Sequence, residues 1–267
     1  MLKQRILTGA LGVPLIIFAI WFGAPWFSLL IAAAVLVGAF EFYRMANFEK
    51  KEPLIYFGLL WALSLVLSPL YKSTNILPIV MSITILISLI LLLFRTPRDN
   101  AFHKWAWTIA GAIFVGWMLS YWISLRGLEN GRDWVYLAML TIFANDTGAF
   151  FIGRAKGKHK LVPAISPAKT WEGAIGGLVS SILGSIIIVV ILNLISPFTL
   201  KYWQVIPLGF LISFFAQIGD LVESLLKRNM GIKESGTLLP GHGGILDRFD
   251  SLIFVGPVVY YFVIGVV

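Results

Sequence analysis

Residues 174–195 read AIGGLVSSILGSIIIVVILNLI, and from Ser181 to Ile195 no side chain carries a charge. About 20 mostly apolar residues in a helix cross the hydrocarbon core of a bilayer. This stretch therefore sets the fold class, and the same pattern recurs along the chain. Nine spans are expected, at 6–22, 26–44, 54–71, 76–94, 105–125, 134–152, 174–195, 203–220 and 249–267. The first two are joined only by the turn Gly23–Ala24–Pro25. Lys3 and Arg5 precede the first span without a convincing small-residue cleavage site after it, so an uncleaved first helix is expected. The expected fold is all-α, a polytopic integral membrane protein.

Composition supports this reading. Of 267 residues, 58% are hydrophobic and 13% are charged, against about 25% charged in soluble domains. An ordinary water-soluble enzyme of this length is excluded. The chain has no cysteine, which excludes disulfides, thiolate catalysis and Cys-bound zinc or iron–sulfur centres. The formal charge of +8 comes from 21 Lys and Arg against 13 Asp and Glu. With the N-terminus inside, only Lys72, Arg126, Arg132 and Lys201 of those 21 fall outside. Such a bias orients the chain N-in and C-out. The positive charge is thus read as orientation plus a phosphate-binding surface, and no nucleic-acid partner is expected.

Polar residues divide the chain into two regions. Residues 1–133 are expected to form a scaffold of about five helices, whose carboxylates Glu41, Glu49, Glu52 and Asp99 lie mostly in or near short connections. Arg126, Glu129, Arg132 and Asp133 are read as a solvated outside loop. Residues 134–267 are expected to form a catalytic region of about four helices with two long inside loops, 153–173 and 221–248. Long polar loops of this kind usually carry function.

The carboxylates of the second region define a candidate site. Asp146 lies among apolar residues of a membrane helix, where a carboxylate is costly unless paired, hydrated or bound to a cation. Asp220 and Glu223 are three residues apart, and Asp247 and Asp250 repeat that spacing. On helices each pair shares a face. Together they can hold a hard divalent cation such as Mg²⁺, which keeps waters and shares phosphates with its substrate. The structural alternatives are an ion pair of Glu223 with Lys227 and a helix cap at Asp250.

Around them lie groups suited to anions. Gly241, Gly243 and Gly244 flank His242, so backbone N–H groups there can close on an anion. Lys227, Arg228, Lys233 and Arg248 are close in sequence. Lys169 and Thr170, before the seventh span, can donate to phosphate while Glu172 faces a metal or a base. No nucleotide-binding Gly-Lys loop or dinucleotide fingerprint is present. Metal and phosphate chemistry at a membrane face suggests phosphoryl or nucleotidyl transfer with a lipid substrate.

The stretch Ser224–Arg228, Lys233–Gly236 and Leu239–Asp250 resembles the signature of the phosphatidate cytidylyltransferase family, also called CDP-diacylglycerol synthases. Asn145–Phe150 with Gly153–Arg154, Gly157–Leu161, Ser166–Gly173 and Gly219–Ser224 resemble the same family. The good match covers about 140–251, and the first half resembles the family in hydrophobic pattern. The resemblance implies transfer of CMP from CTP to phosphatidate, with release of pyrophosphate. The charge bias puts the polar site at the cytoplasmic face, and the short, compact chain suggests a bacterial inner membrane. It implies Mg²⁺ at Asp220, Asp247 and Asp250 with Glu223 nearby, and Asp146 holding a second cation, divalent or monovalent, or placing a basic residue. Lys169, Thr170, Lys227, Arg228, Lys233, His242 and Arg248 become phosphate-binding candidates, with Asn145, Ser224 and the Gly241–Gly244 backbone beside them. The family pattern usually has Asp where this chain has Glu234, so Glu234 is assigned with Glu172 to a supporting role rather than to the metal.

Other classes fit less well. A cation-coupled transporter would place its polar residues near the bilayer midplane and often show inverted repeats. A non-catalytic membrane protein leaves the paired carboxylates unexplained. A CDP-alcohol phosphotransferase would carry a D-G-x-x-A-R run, which is absent. Gly176, Gly177, Ser180, Ser181 and Gly184 offer a packing face within one chain or between two copies in a homodimer.

Overall fold

The computed structural model describes residues 2–46, 53–71, 76–94, 100–196, 198, 200–238 and 243–267. Gly241 and His242 of the expected anion loop lie outside the described residues, as do Glu49, Glu52 and Asp99. The helices in chain order are α1 (Leu2–Phe22), α2 (Trp26–Met45), α3 (Pro53–Val66), α4 (Ile76–Leu93), α5 (Ala101–Gly111), α6 (Met118–Arg126), α7 (Gly131–Lys156), α8 (Trp171–Ile195), α9 (Tyr202–Asn229) and α10 (Leu246–Val266). A π-helical turn, Ala112–Trp117, links α5 to α6 in one continuous rod. A hairpin of β1 (Lys160–Val162) and β2 (Ser166–Thr170) separates α7 from α8.

Among the described residues, seven helices are long and apolar enough to cross a membrane. The other two expected spans correspond to shorter apolar helices, Thr8–Phe22 and Leu54–Val66. Leu183, Ile187, Val190, Ile191 and Leu194 on α8 are all exposed. In water such a surface drives aggregation, whereas in lipid it faces solvent of its own kind. The chain is an integral membrane protein.

Several expected boundaries move. The span expected at 54–71 ends at Val66, because Pro69 cannot continue the helical ladder and a short 3-10 turn follows. The span expected to stop at Asp220 continues to Asn229, with Lys227 and Arg228 in its last turn, where cations favour the helix dipole. The expected loop 153–173 is largely the end of α7, the hairpin and the start of α8. Asp133, expected in a solvated loop, is buried in the first turn of α7 and accepts from Arg132 Nε at 3.1 Å.

The contacts divide the chain into two compact units. One comprises residues 1–124 and 234–248. Its core holds Trp61, Trp122, Phe42 and Tyr43, and Tyr43 Oη donates to the Thr108 carbonyl at 3.0 Å. The backbone of α3 comes so close to the π-helical turn that a side chain at Gly116 would strike Ala62.

The other comprises residues 125–233 and 249–267. Here α8 packs along α7 through small residues, with Gly176 against Ile152, Gly177 against Asn145 and Gly184 against Ala144. Ser181 Oγ donates to the Gly209 carbonyl of α9 at 2.7 Å. The small-residue face of 176–184 thus packs helices within one chain. Small residues let helix backbones approach where lipid offers no hydrophobic driving force. At the far end of α9, Gln204 Nε2 donates to the Val266 carbonyl of α10 at 3.0 Å.

Candidate active site

In the second unit, α7, α8, α9 and the hairpin enclose a cavity of about 450 Å³. Its polar lining is Asn145, Asp146, Arg154, Lys169, Thr170, Gln217 and Asp220. Both signs of charge therefore face one space.

Local structure explains how each is held. Thr170 ends β2 and caps α8, its hydroxyl accepting from Gly173 N at 3.1 Å. That cap places Lys169 immediately before the helix, and Lys169 Nζ reaches Asp220 Oδ2 at 2.7 Å. Glu172, in the first turn of α8, accepts from Lys158 N at 3.1 Å and from His159 N at 3.2 Å, and pairs with His159 Nδ1 at 2.7 Å. The carboxylate expected to face a metal or a base is thus used to fasten the hairpin.

Asp146 is held from behind by a buried amide network. Asn145 Nδ2 donates to Asp146 Oδ1 at 3.0 Å, while Asn145 Oδ1 accepts from Ser213 Oγ at 2.6 Å and Gln217 Nε2 at 3.2 Å. Gln217 Nε2 also reaches the Ala174 carbonyl at 3.1 Å, linking α7, α8 and α9. Asn145 is 1% exposed, so its place in the cavity wall is chiefly one of support.

The helices α9 and α10 meet closely beside Asp220. A Cβ on Gly219 would strike the Asp250 carbonyl, and Ser251 Oγ donates to the Ala216 carbonyl at 3.2 Å. Asp250 is half-buried and interacts electrostatically with Asp220, Asp146 and Lys227. Among the described residues, no three carboxylates or imidazoles gather at joint metal-ligand spacing.

The remaining expected residues are placed as follows. Glu223 is fully buried and forms an ion pair with Lys227 one turn on. Ser224 Oγ makes a long contact of 3.4 Å with Asp220 Oδ1. Arg228 donates to the Ile165 carbonyl at 3.3 Å and the Ile232 carbonyl at 3.4 Å, joining α9 to the hairpin turn. Lys233, Glu234 and Arg248 are exposed.

Asp247 belongs to the first unit, where its Oδ2 accepts from Gly244 N at 2.8 Å and Ser235 N at 3.0 Å. Gly243 has φ +81°, a conformation that side chains disfavour, and a Cβ there would crowd Asp247. The Gly244 amide, expected to face a substrate anion, faces this internal carboxylate. Glu41 Oε1 accepts from Ile245 N at 3.1 Å, and its Oε2 accepts from Leu246 N at 2.9 Å and Ser235 Oγ at 3.2 Å. Expected in or near a connection, Glu41 instead lies within α2 and is 6% exposed. The signal was available, since Glu41 stands between Phe40 and Phe42 at the end of an apolar run. Gln217 and Ser213 carried no comparable signal.

A polytopic membrane protein with a cavity lined by both signs of charge is the class that fold and site define. A model of the cytidylyltransferase family matches residues 3–265, and the chain belongs to that family of enzymes. It is 37% identical over 266 residues to a phosphatidate cytidylyltransferase of Bacillus subtilis (strain 168), covering 97% of each chain. It is 35% identical over 260 residues to the protein so named from Staphylococcus haemolyticus (strain JCSC1435), covering 96% of each.

Proposed function

We propose that this chain transfers CMP from CTP to phosphatidate, giving CDP-diacylglycerol and pyrophosphate. The observation that carries this reading is the cavity of the second unit, where Lys169 and Arg154 stand with Asp146 and Asp220 among apolar helices. Its cations suit phosphate oxygens, and its carboxylates suit the cation that accompanies a triphosphate.

In the reaction, a phosphate oxygen of phosphatidate bonds to the α-phosphorus of CTP. The bond to the bridging oxygen breaks, and pyrophosphate leaves with the electron pair. The phosphomonoester is already a nucleophile, so no strong base is required. Lys169 exchanges its contact with Asp220 for substrate phosphate and stabilises the charge that develops there. Arg154 on the same wall binds a second phosphate group. Lys227, Arg228, Lys233, His242 and Arg248 are further phosphate-binding candidates.

Mg²⁺ suits this unit, because Asp146 and Asp220 line one cavity and the Asp250 backbone lies against Gly219, next to Asp220. These three would hold it, and Asp247, a carboxylate of the first unit, is a further candidate ligand. A cation held by these carboxylates would supply neutralisation of the triphosphate charge and polarisation of the attacked phosphorus. Glu223 would join it only by releasing Lys227. A second cation, divalent or monovalent, suits the same excess of carboxylates.

The reaction side is cytoplasmic in a bacterial inner membrane, with nine spans, N-in and C-out, residues 1–133 as scaffold and the chain from 134 carrying the chemistry. The excess of Lys and Arg on that side supports this orientation. In the test, purified chain receives CTP, with phosphatidate and Mg²⁺ each present or omitted. Pyrophosphate release that needs both supports the proposal, and release indifferent to phosphatidate rejects it.

A further inference from the structure

Glu41 is a buried carboxylate in the scaffold region that the proposed reaction does not use. Its three donors come from residues about 200 positions away in sequence, Ser235, Ile245 and Leu246. Two are backbone amides at the start of α10, where N–H groups lack intrahelical partners and the helix dipole favours an anion. Gly236 and Gly244 fit against the same carboxylate, and a Cβ on either would collide with it. Ser235 is shared, since its hydroxyl goes to Glu41 and its amide to Asp247. Glu41 and Asp247 therefore each tie Ser235 to the residues at 244–246, within one compact unit.

We infer that Glu41 is a positioning residue, holding Ser235, Ile245 and Leu246 so that Asp247, a proposed Mg²⁺ ligand, keeps its orientation. The inference rests on the proposed function for its catalytic consequence, but not for its structural one. A ligating carboxylate whose other oxygen is held by backbone amides is oriented by them, and loss of such support typically lowers metal affinity or activity about 10- to 100-fold. Glutamine at position 41 keeps the shape and one acceptor oxygen, but it removes the charge and replaces the other oxygen with a donor facing donors.

The test compares full-length wild type, Glu41→Gln and Glu41→Asp in detergent with phosphatidate. Hydrogen exchange over 235–247, thermal unfolding, and kcat, KM for CTP and for phosphatidate, and the Mg²⁺ half-saturation point are measured. Glu41→Gln is expected to speed exchange of Ile245 and Leu246 and to raise the Mg²⁺ half-saturation point about tenfold or more. KM for phosphatidate should stay near wild type. Glu41→Asp, which retains the charge, should recover part of the loss.

Unchanged exchange over 235–247 in Glu41→Gln overturns the inference. So does a fall in kcat that only tracks the folded fraction, with the Mg²⁺ curve unmoved. If the wild type shows no CTP-dependent transfer, the proposed function fails, and the exchange result alone decides whether Glu41 sets the loop.

Discussion

Lys169 Nζ lies 2.7 Å from Asp220 Oδ2, so the hairpin and α9 are joined by opposite charges at the wall of the cavity. The two groups have different tasks in the proposed reaction. Lys169→Met should lower kcat/KM about 100- to 1,000-fold, the usual cost of removing one donor to developing charge. It should leave the Mg²⁺ dependence near wild type, whereas Asp220→Asn should shift it to higher concentrations. Steady-state rates over a Mg²⁺ series separate the two, and identical shifts for both would remove the division of roles.

Asn145 supports Asp146 from a site that is 1% exposed. Asn145→Ala leaves Ser213 and Gln217 without their shared acceptor. A loss of about 1–3 kcal/mol is expected for such buried groups. Thermal unfolding in detergent measures it, and an unchanged midpoint would contradict the network's structural weight.

The pair Glu223–Lys227 gives a test of whether the pair is structural. Lys227→Met leaves a fully buried carboxylate without this cation, and about 3–5 kcal/mol of destabilisation is expected. The double variant Glu223→Gln/Lys227→Met should be more stable than Lys227→Met alone. If the single and double variants unfold together, the pair does not hold the helix.

Thr170 both caps α8 and lines the cavity. Thr170→Ser keeps the cap oxygen and should preserve stability. Thr170→Ala should cost about 1 kcal/mol, as for other lost helix caps. Chemical or thermal unfolding of the two variants provides the comparison.

The helices were legible because an uncharged run such as Ser181–Ile195 has no other stable form in lipid. Asp146 was legible for the converse reason, as a carboxylate where none is cheap. The hairpin was not, because Lys160–Thr170 is short and interrupted by Pro163 and Pro167, and its closure depends on Glu172 gathering the Lys158 and His159 amides. The far end of α9 was read as loop because Lys227 and Arg228 end the hydrophobic pattern, yet both suit a helix C-terminus. Glu41 was misread by its nearness to a connection, since its partners lie about 200 residues away. Sequence spacing exposes partners on one helix, such as Glu223 and Lys227, but not those brought together by the fold.

Nucleotidyl transfer to a lipid is tested most directly by the fate of each CTP phosphate. Purified chain in phosphatidate micelles with Mg²⁺ receives CTP labelled at either the α- or the γ-phosphorus. The account predicts that the α-label enters the lipid extract and the γ-label appears in pyrophosphate, with both products lost in Asp220→Asn. Transfer of the γ-label to lipid, or an α-label that stays wholly in the aqueous phase, would contradict it.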